Sequence, residues 1–462
     1  MELIIQKIIE KISSNYEKEL KNLIMEKRDI SEFILGAKKT LDEIGVILVA
    51  EALETIDEAY RNSKDRKQNW TVKSKDDKKT LTTIFGEVKY KRTYYKNKKT
   101  GEHSYLSDEA VGISAHDKLD ASLKTRLIEE AVFMSYSRSG EKATEAVSLT
   151  SQTVMNSIRE LGSVDNNAVE IKQEKKTVKI LYIEADEDHV ALQDGGHIEP
   201  KLIYVHEGRK KVGKGRWKLL NARYFSGVYN NSDELWVEVA DYIDQAYDVD
   251  SIGKIYLSGD GAPWIKNGLS WIKGSIYVLD RYHLSKYVTQ ATAHMGYTRP
   301  IMWDYINNGD QKNTKDLFKA IISSTETETK KKSVQEARRY ILSNWKGIRN
   351  QYDVDYAGCS AEGHVSHILS SRLSSRPLGW CKTGVDQMVR LRVFVANGGE
   401  IYDLFIDRKK VAINEAKIIK VDQEIVKKRK LSSSHETIGN VTILNIGKRS
   451  LASQFLKSVR GA

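Results

Sequence analysis

Residues 254–287 read KIYLSGDGAPWIKNGLSWIKGSIYVLDRYHLSKY. Ile255, Tyr256 and Leu257 form a short apolar run closed by Ser258-Gly259-Asp260-Gly261, and Ile276 to Leu279 form a second run closed by Asp280. Short runs rich in β-branched and aromatic residues that stop at turn residues or at a charge are the pattern of buried parallel strands. The stretch therefore predicts strand, turn, helix, strand, helix. Pro263 falls in the first turn of the intervening helix, where its missing N–H costs nothing. Each strand delivers an aspartate to its carboxyl end, the edge at which open α/β sheets place their ligands. Asp280 and His283, three apart at the start of the second helix, share one face of it.

Working outward, Thr177 to Glu184 (TVKILYIE) predicts a strand running into Ala185-Asp186-Glu187-Asp188. Lys201–His206 and Leu219–Val228 predict two more strands. Asp233–Tyr247 predicts a helix that buries Leu235, Val239 and Ile243. Three strands, helix, strand, helix, strand is the element order of an RNase H-like α/β fold. From about 284 to 357 the chain is helical, polar and lysine-rich, an all-helical insertion. Gly358 to His364 and a helix from Val365 to Leu373, stopped at Pro377, complete the core.

Upstream, residues 1–66 carry helical periodicity and read as a helical bundle or self-association arm. Residues 67–110 form a small β region, in which Thr80 to Tyr95 alternates at period two and turns at Gly86. There Lys89, Lys91 and Arg92, interleaved with Tyr90, Tyr94 and Tyr95, suit either phosphate contact or a solvated face. Residues 111–170 predict a helix-turn-helix: Leu119–Met134, then Ser137–Val147, then a recognition helix Ser151–Leu161. That helix buries Val154, Ile158 and Leu161 and presents Gln152, Asn156 and Arg159, side chains suited to base edges. The alternative is an ordinary helical hairpin. Residues 171–400 are the catalytic domain, and 401–462 a basic region with Arg408-Lys409-Lys410 and Lys427-Lys428-Arg429-Lys430.

At 462 residues the chain exceeds a single core. Its 74 Lys and Arg against 63 Asp and Glu leave a net charge of +11, which favours a polyanionic partner. Two cysteines, Cys359 and Cys381, exclude a disulfide framework and read as buried reduced thiols. No apolar run approaches the roughly 18 residues of a membrane span. The N-terminus alternates Ile with Lys and Glu, unlike a signal peptide. A cytoplasmic, nucleoid-associated protein is the expectation.

Metal-dependent phosphoryl transfer needs carboxylates from separate strands that converge on two hard cations. Asp186 and Asp260 come from strands that would be neighbours, and Glu362 is placed to supply a third acid from a late helix. Asp188 rivals Asp186, because Glu184, Asp186 and Asp188 alternate onto one strand face. Glu400 and Asp403 rival Glu362, and the dipole at a helix start explains an acid at 362 equally well. His283 is either a core histidine or a group that orients the chemistry.

The set YIEADEDHV (182–190), LSGDGAPWIK (257–266), DRYHL (280–284) and GCSAEGHVSHILSSRLSSRPLGW (358–380) resembles the ISLre-type insertion-sequence transposases, bacterial DDE enzymes similar in layout to the Mutator-type transposases. The resemblance runs from about Gly86 to Gly399. It implies an RNase H-like domain with a helical insertion before the glutamate, the triad Asp186, Asp260 and Glu362, and a signature formed here by Asp280 and His283. It also implies two Mg²⁺ ions, replaceable by Mn²⁺, and double-stranded DNA partners, both element ends and target. Two ends must be brought together, so a homo-oligomer is expected. A DNA-binding regulator on an inactive core, or a nuclease that cuts without joining, are the alternatives.

Overall fold

The computed structural model describes residues 2–27, 29–171, 174–376 and 379–413. The Lys427–Lys430 run and Pro377 lie outside the described residues. The described residues form two compact units: those up to 131, 135–157 and 401–413 in one, and those in 132–134 and 158–400 in the other.

In the first unit, α1 (Glu2–Met25) and α2 (Ile30–Asn62) precede a long hairpin of β1 (Trp70–Thr83) and β2 (Gly86–Asn97). The hairpin turns at Gly86, opposite Thr83, as the alternation predicted, but β1 starts ten residues before the predicted Thr80, at Trp70. Val88, Tyr90 and Leu81 are buried beneath α2 residues such as Leu53. The suggested phosphate contact does not hold for Arg92: its guanidinium is buried against the Asp108 carboxylate, which also accepts from the Tyr90 hydroxyl. Tyr95 is fully buried as well.

Then come α3 (Ala121–Phe133), α4 (Tyr136–Lys142) and α5 (Ser151–Leu161). The middle helix ends at Lys142 rather than the expected Val147. The Thr144 hydroxyl donates to the Ile84 carbonyl, and the Leu149 N–H turns back onto the Gly140 carbonyl. A Cβ at Gly140 would sit 2.0 Å from the Leu149 oxygen, so only glycine admits this return of the chain.

The second unit is built on a five-stranded sheet. Its strands are β3 (Ile180–Glu187), β4 (Lys201–His206), β7 (Arg223–Gly227), β8 (Lys254–Gly259) and β9 (Ser275–Leu279). Between β4 and β7 lies a separate hairpin, β5 (Arg209–Gly213) and β6 (Arg216–Leu219), where no strand was expected before Leu219. The sheet order is β7-β4-β3-β8-β9. The β7-β4 and β4-β3 pairs are antiparallel, and the β3-β8 and β8-β9 pairs are parallel.

Alternation along β3 divides the faces. Leu181, Ile183 and Ala185 join Ile203, Val205, Phe225 and Leu257 in an apolar core. The helices α6 (Ser232–Ala246) and α7 (Pro263–Trp271) cover that core with Leu235, Trp236, Val239, Ile243 and Ile265. Each such side chain contributes about 1.5–3 kcal/mol. Tyr182, Glu184 and Asp186 point the other way.

Side-chain amides engage backbone groups on both sheet edges, which blunts them as templates for another strand. On β7, Asn397 accepts from the Tyr224 N–H and donates to its carbonyl, both at 2.8 Å, and Asn166 accepts from the Ser226 N–H. On β9, Asn350 and Gln351 donate to the carbonyls of Tyr277 and Leu279, each at 2.7 Å.

The expected insertion is all helical: α8 (Arg281–Thr292), α9 (Thr298–Asn308), α10 (Gln311–Ser323), α11 (Glu328–Ser343) and α12 (Trp345–Asn350). Its core of Val288, Met302, Ile306, Phe318, Ile321 and Ile341 is continuous with Leu279 at the end of β9. After it, α13 (Ala361–Val365) passes through a π-turn at Ser366–Ser370, and α14 (Lys382–Ala396) follows.

Candidate active site

Register decides which acids can meet. Glu184 of β3 lies opposite Ser258 of β8, so two residues on Asp186 comes level with Asp260. Gly259 lies opposite Leu279 of β9, so Asp260 comes level with Asp280. Three aspartates thus stand side by side at the carboxyl ends of three parallel neighbours, strands about 4.8 Å apart. The Asp280 N–H donates to the Gly259 carbonyl at 2.8 Å and holds the last two strand ends together.

Asp186 is only 8% exposed. Its carboxyl is pushed up to about 7, chiefly by burial; the Glu187 N–H and the charge of His283 act against the rise, and the charges of Asp260 and Glu362 add to it. The carboxyl thus feels both other members of the expected triad. Asp188, the rival on the same strand face, is half engaged: its Oδ1 accepts from the hydroxyls of Ser370 at 3.0 Å and Ser374 at 2.8 Å, while its buried Oδ2 has no hydrogen-bond partner among the described residues. Those bonds tie down the helical segment after the π-turn. Glu362 is exposed, in the first turn of α13. Glu400 and Asp403 are exposed too, but Glu362 is the acid whose charge reaches Asp186.

Asp260 is fixed from both ends. Its Oδ1 accepts from the Ala262 N–H at 2.8 Å, and its backbone carbonyl accepts from the Tyr340 hydroxyl of the insertion. Gly261 beside it has φ +94°, and a Cβ there would lie 2.9 Å from Asn344 Oδ1. Asp280 caps α8 through the Tyr282 N–H and sets its Oδ2 3.1 Å from His283 Nδ1. Burial lowers the basicity of His283, but the Asp280 hydrogen bond and the charges of Asp186, Asp280 and Asp260 outweigh it and raise the pKa. His283 is thus held by Asp280 beside the strand-end aspartates.

Beneath this level sits a residue that sequence reasoning noticed only as a strand neighbour. Glu184, 2% exposed, accepts from the Tyr204 hydroxyl, the Ser360 N–H and hydroxyl, and the Cys359 thiol, and lies 3.0 Å from His206 Nε2. Burial would raise its pKa; the bond to and charge of His206 and the Tyr204 hydroxyl hold it below the usual carboxylate range. Glu184 anchors the chain two residues before Glu362. Of the two cysteines, Cys359 is half-buried here, whereas Cys381 is exposed at the start of α14, contrary to the expectation of two buried thiols.

Asp186, Asp260 and Glu362 offer hard oxygen donors, and a buried carboxyl among like charges suits a bound cation. They are not drawn round a single point: among the described residues, the group whose ligand atoms lie within 4.8 Å of one another is Glu187, His189 and Glu199, which is half-buried to exposed. On α5, Val154, Ile158 and Leu161 are buried, while Gln152, Asn156 and Arg159 are exposed, with Gln152 Nε2 donating to Asn156 at 2.9 Å. Among the described residues no helix is long and apolar enough to cross a membrane.

Comparison with known proteins gives consistent relatives. A protein of Caldanaerobacter subterraneus subsp. tengcongensis named UPF0236 protein TTE0610/TTE0881/TTE1053/TTE2432 is 43% identical over 443 residues, 96% of this chain and 94% of its own. Another from the same organism, whose name joins eleven locus designations from TTE0033 to TTE2212, is 42% identical over 466 residues, 99% of this chain and 98% of its own. Residues 23–410 match the family described as "Uncharacterised protein family (UPF0236)", and the chain belongs to that family.

Proposed function

We propose that this chain is a DNA transposase of the acid-triad class on an RNase H-like core. The observation that carries the reading is the register that sets Asp186 level with Asp260, with the charge of Glu362 reaching the same carboxyl. The strand order β7-β4-β3-β8-β9, antiparallel then parallel, supports the RNase H-like assignment. So does the helical insertion between the second aspartate and the glutamate. A relative whose name joins eleven locus designations of one organism fits a gene that spreads within its genome.

Asp186 and Asp260 would hold two Mg²⁺ ions, or Mn²⁺ in their place, with Glu362 completing the set. When bound, the ions supply charge that activates the attacking oxygen and stabilises the leaving one. The chain's own part is to bind and orient. Water attacks a phosphodiester at the element end and breaks its P–O3′ bond, leaving a 3′-OH and a 5′-phosphate; that 3′-OH attacks a target phosphodiester and expels a target 3′-OH, and both are in-line displacements. Asp280 Oδ2, 3.1 Å from His283 Nδ1, keeps the orientation of the ring beside the phosphate. Gln152, Asn156 and Arg159 on α5 read base edges of the terminal repeats. Two ends enter one reaction, so the active form is a homo-oligomer on the nucleoid.

The test is a strand-transfer assay with the gene's own flanking DNA, a supercoiled target plasmid and Mg²⁺. The wild type yields joined product, whereas Asp186→Asn, Asp260→Asn and Glu362→Gln yield none while still binding the DNA. Cleavage without joining would make the chain a nuclease. Binding without either reaction would make it a regulator.

A further inference from the structure

The β5–β6 hairpin is a part of the second unit that the proposed chemistry leaves unused. Residues 209–218 read RKKVGKGRWK, six cations and no acid, and every one of them is exposed. A two-stranded hairpin with no buried side chain gains nothing from a core, so its composition answers to what it meets rather than to what it packs on. Trp217 is 55% exposed, and the Arg209 guanidinium lies 5.0 Å from its ring centroid.

Behind the hairpin is a cavity of about 710 Å³, within the roughly 300–1,000 Å³ of small-ligand sites. Arg209, Lys210 and Trp217 form one wall; Tyr224, Ser360 and His364 form the other. No carboxylate is among its lining residues. Ser360 and His364 flank Glu362 in sequence, so one wall is the helix that carries the third acid. Arg209 reaches the same segment: a Cβ at Gly358 would lie 3.2 Å from its Nη2. The hairpin leaves the sheet next to His206, which pairs with Tyr182, four residues along β3 from Asp186 and so about 13 Å away.

Cations alone would suit any anion. Cations around an exposed indole, with room for a ring and a wall formed by the helix of Glu362, suit a nucleotide whose base is free to stack. We propose that this cleft holds an unpaired nucleotide of the substrate strand, its base on Trp217 and its phosphates among Arg209, Lys210 and Lys218, a few nucleotides from the phosphate that reacts at Asp186 and Asp260. The assignment rests on the chain being a DNA enzyme and names the form of DNA that its catalytic unit holds.

The experiment uses the full chain and two labelled duplexes, one fully paired and one with a short single-stranded gap carrying 2-aminopurine. The wild type binds the gapped duplex more tightly and quenches the 2-aminopurine. Trp217→Ala loses about tenfold in affinity for the gapped duplex, keeps its affinity for the paired one and loses the quenching; Trp217→Phe restores most of both. Trp217 is exposed, so circular dichroism of the variants matches the wild type. Equal affinity of Trp217→Ala and wild type for the gapped duplex, equal loss on both duplexes, or Trp217-dependent capture of polyglutamate in place of DNA would overturn the assignment. A wild type that joins end DNA while Trp217→Ala behaves identically removes the cleft alone. A wild type that binds neither duplex removes the DNA-enzyme reading with it.

Discussion

Glu184 and Tyr340 do for the site what the strand-end acids cannot do for themselves. Glu184 is a buried carboxylate that joins β4, through Tyr204 and His206, to the segment leading into Glu362. Removing a buried charge partner typically costs about 3–5 kcal/mol. Glu184→Ala should therefore lower unfolding free energy by about 3 kcal/mol or more in urea titration, whereas a loss under about 1 kcal/mol would mean the network carries little. Tyr340→Phe removes only the hydroxyl that donates to the Asp260 carbonyl. Its expected cost is about 1 kcal/mol of stability, with a larger proportional fall in strand transfer than in DNA binding. Equal falls in the two would mean that Tyr340 does not position Asp260. Neither residue's role was legible in the sequence. Ser360 lies 176 positions from Glu184, and Tyr340 lies 80 from Asp260; periodicity reports a residue's face but not its distant partner.

At the scale of elements, what could be read was what local pattern determines. The strands that end near Asp186, Asp260 and Asp280, the turn at Gly86 and the exposed face of α5 follow from short-range alternation and turn residues. What escaped was set by tertiary contact. The helix read through to Val147 stops at Lys142 because Gly140 receives the returning backbone of Leu149. The β5–β6 hairpin shows no apolar alternation, so nothing in RKKVGKGRWKL marked it as strand. Gly140→Ala should destabilise the first unit by several times the roughly 1 kcal/mol that this exchange usually changes. A melting temperature unchanged from wild type would contradict the close approach. At the sheet edge, Asn397→Ala leaves both polar groups of Tyr224 without their partner. A loss of about 2 kcal/mol is expected, together with faster amide exchange of β7 in hydrogen-exchange mass spectrometry; unchanged exchange would contradict the blunted edge.

Across the whole molecule, the proposed DNA binding by a chain of net charge +11 should be salt-dependent. If six or more phosphates are neutralised, affinity should fall by about a thousandfold or more between roughly 50 and 200 mM salt, and a flat salt response would exclude phosphate contact as the source of binding. Length made a chain of more than one unit legible. The division into units was less so, because residues 401–413 group with the N-terminal helices and hairpin across more than two hundred intervening positions, a return that composition does not mark. The account as a whole depends on distant acids sharing divalent ions. The most direct test is anomalous scattering from crystals of the full chain soaked in Mn²⁺. Density is expected between Asp186 and Asp260, with Glu362 as a further ligand; density confined to Glu187, His189 and Glu199, or none near Asp186, would overturn the shared-ion site.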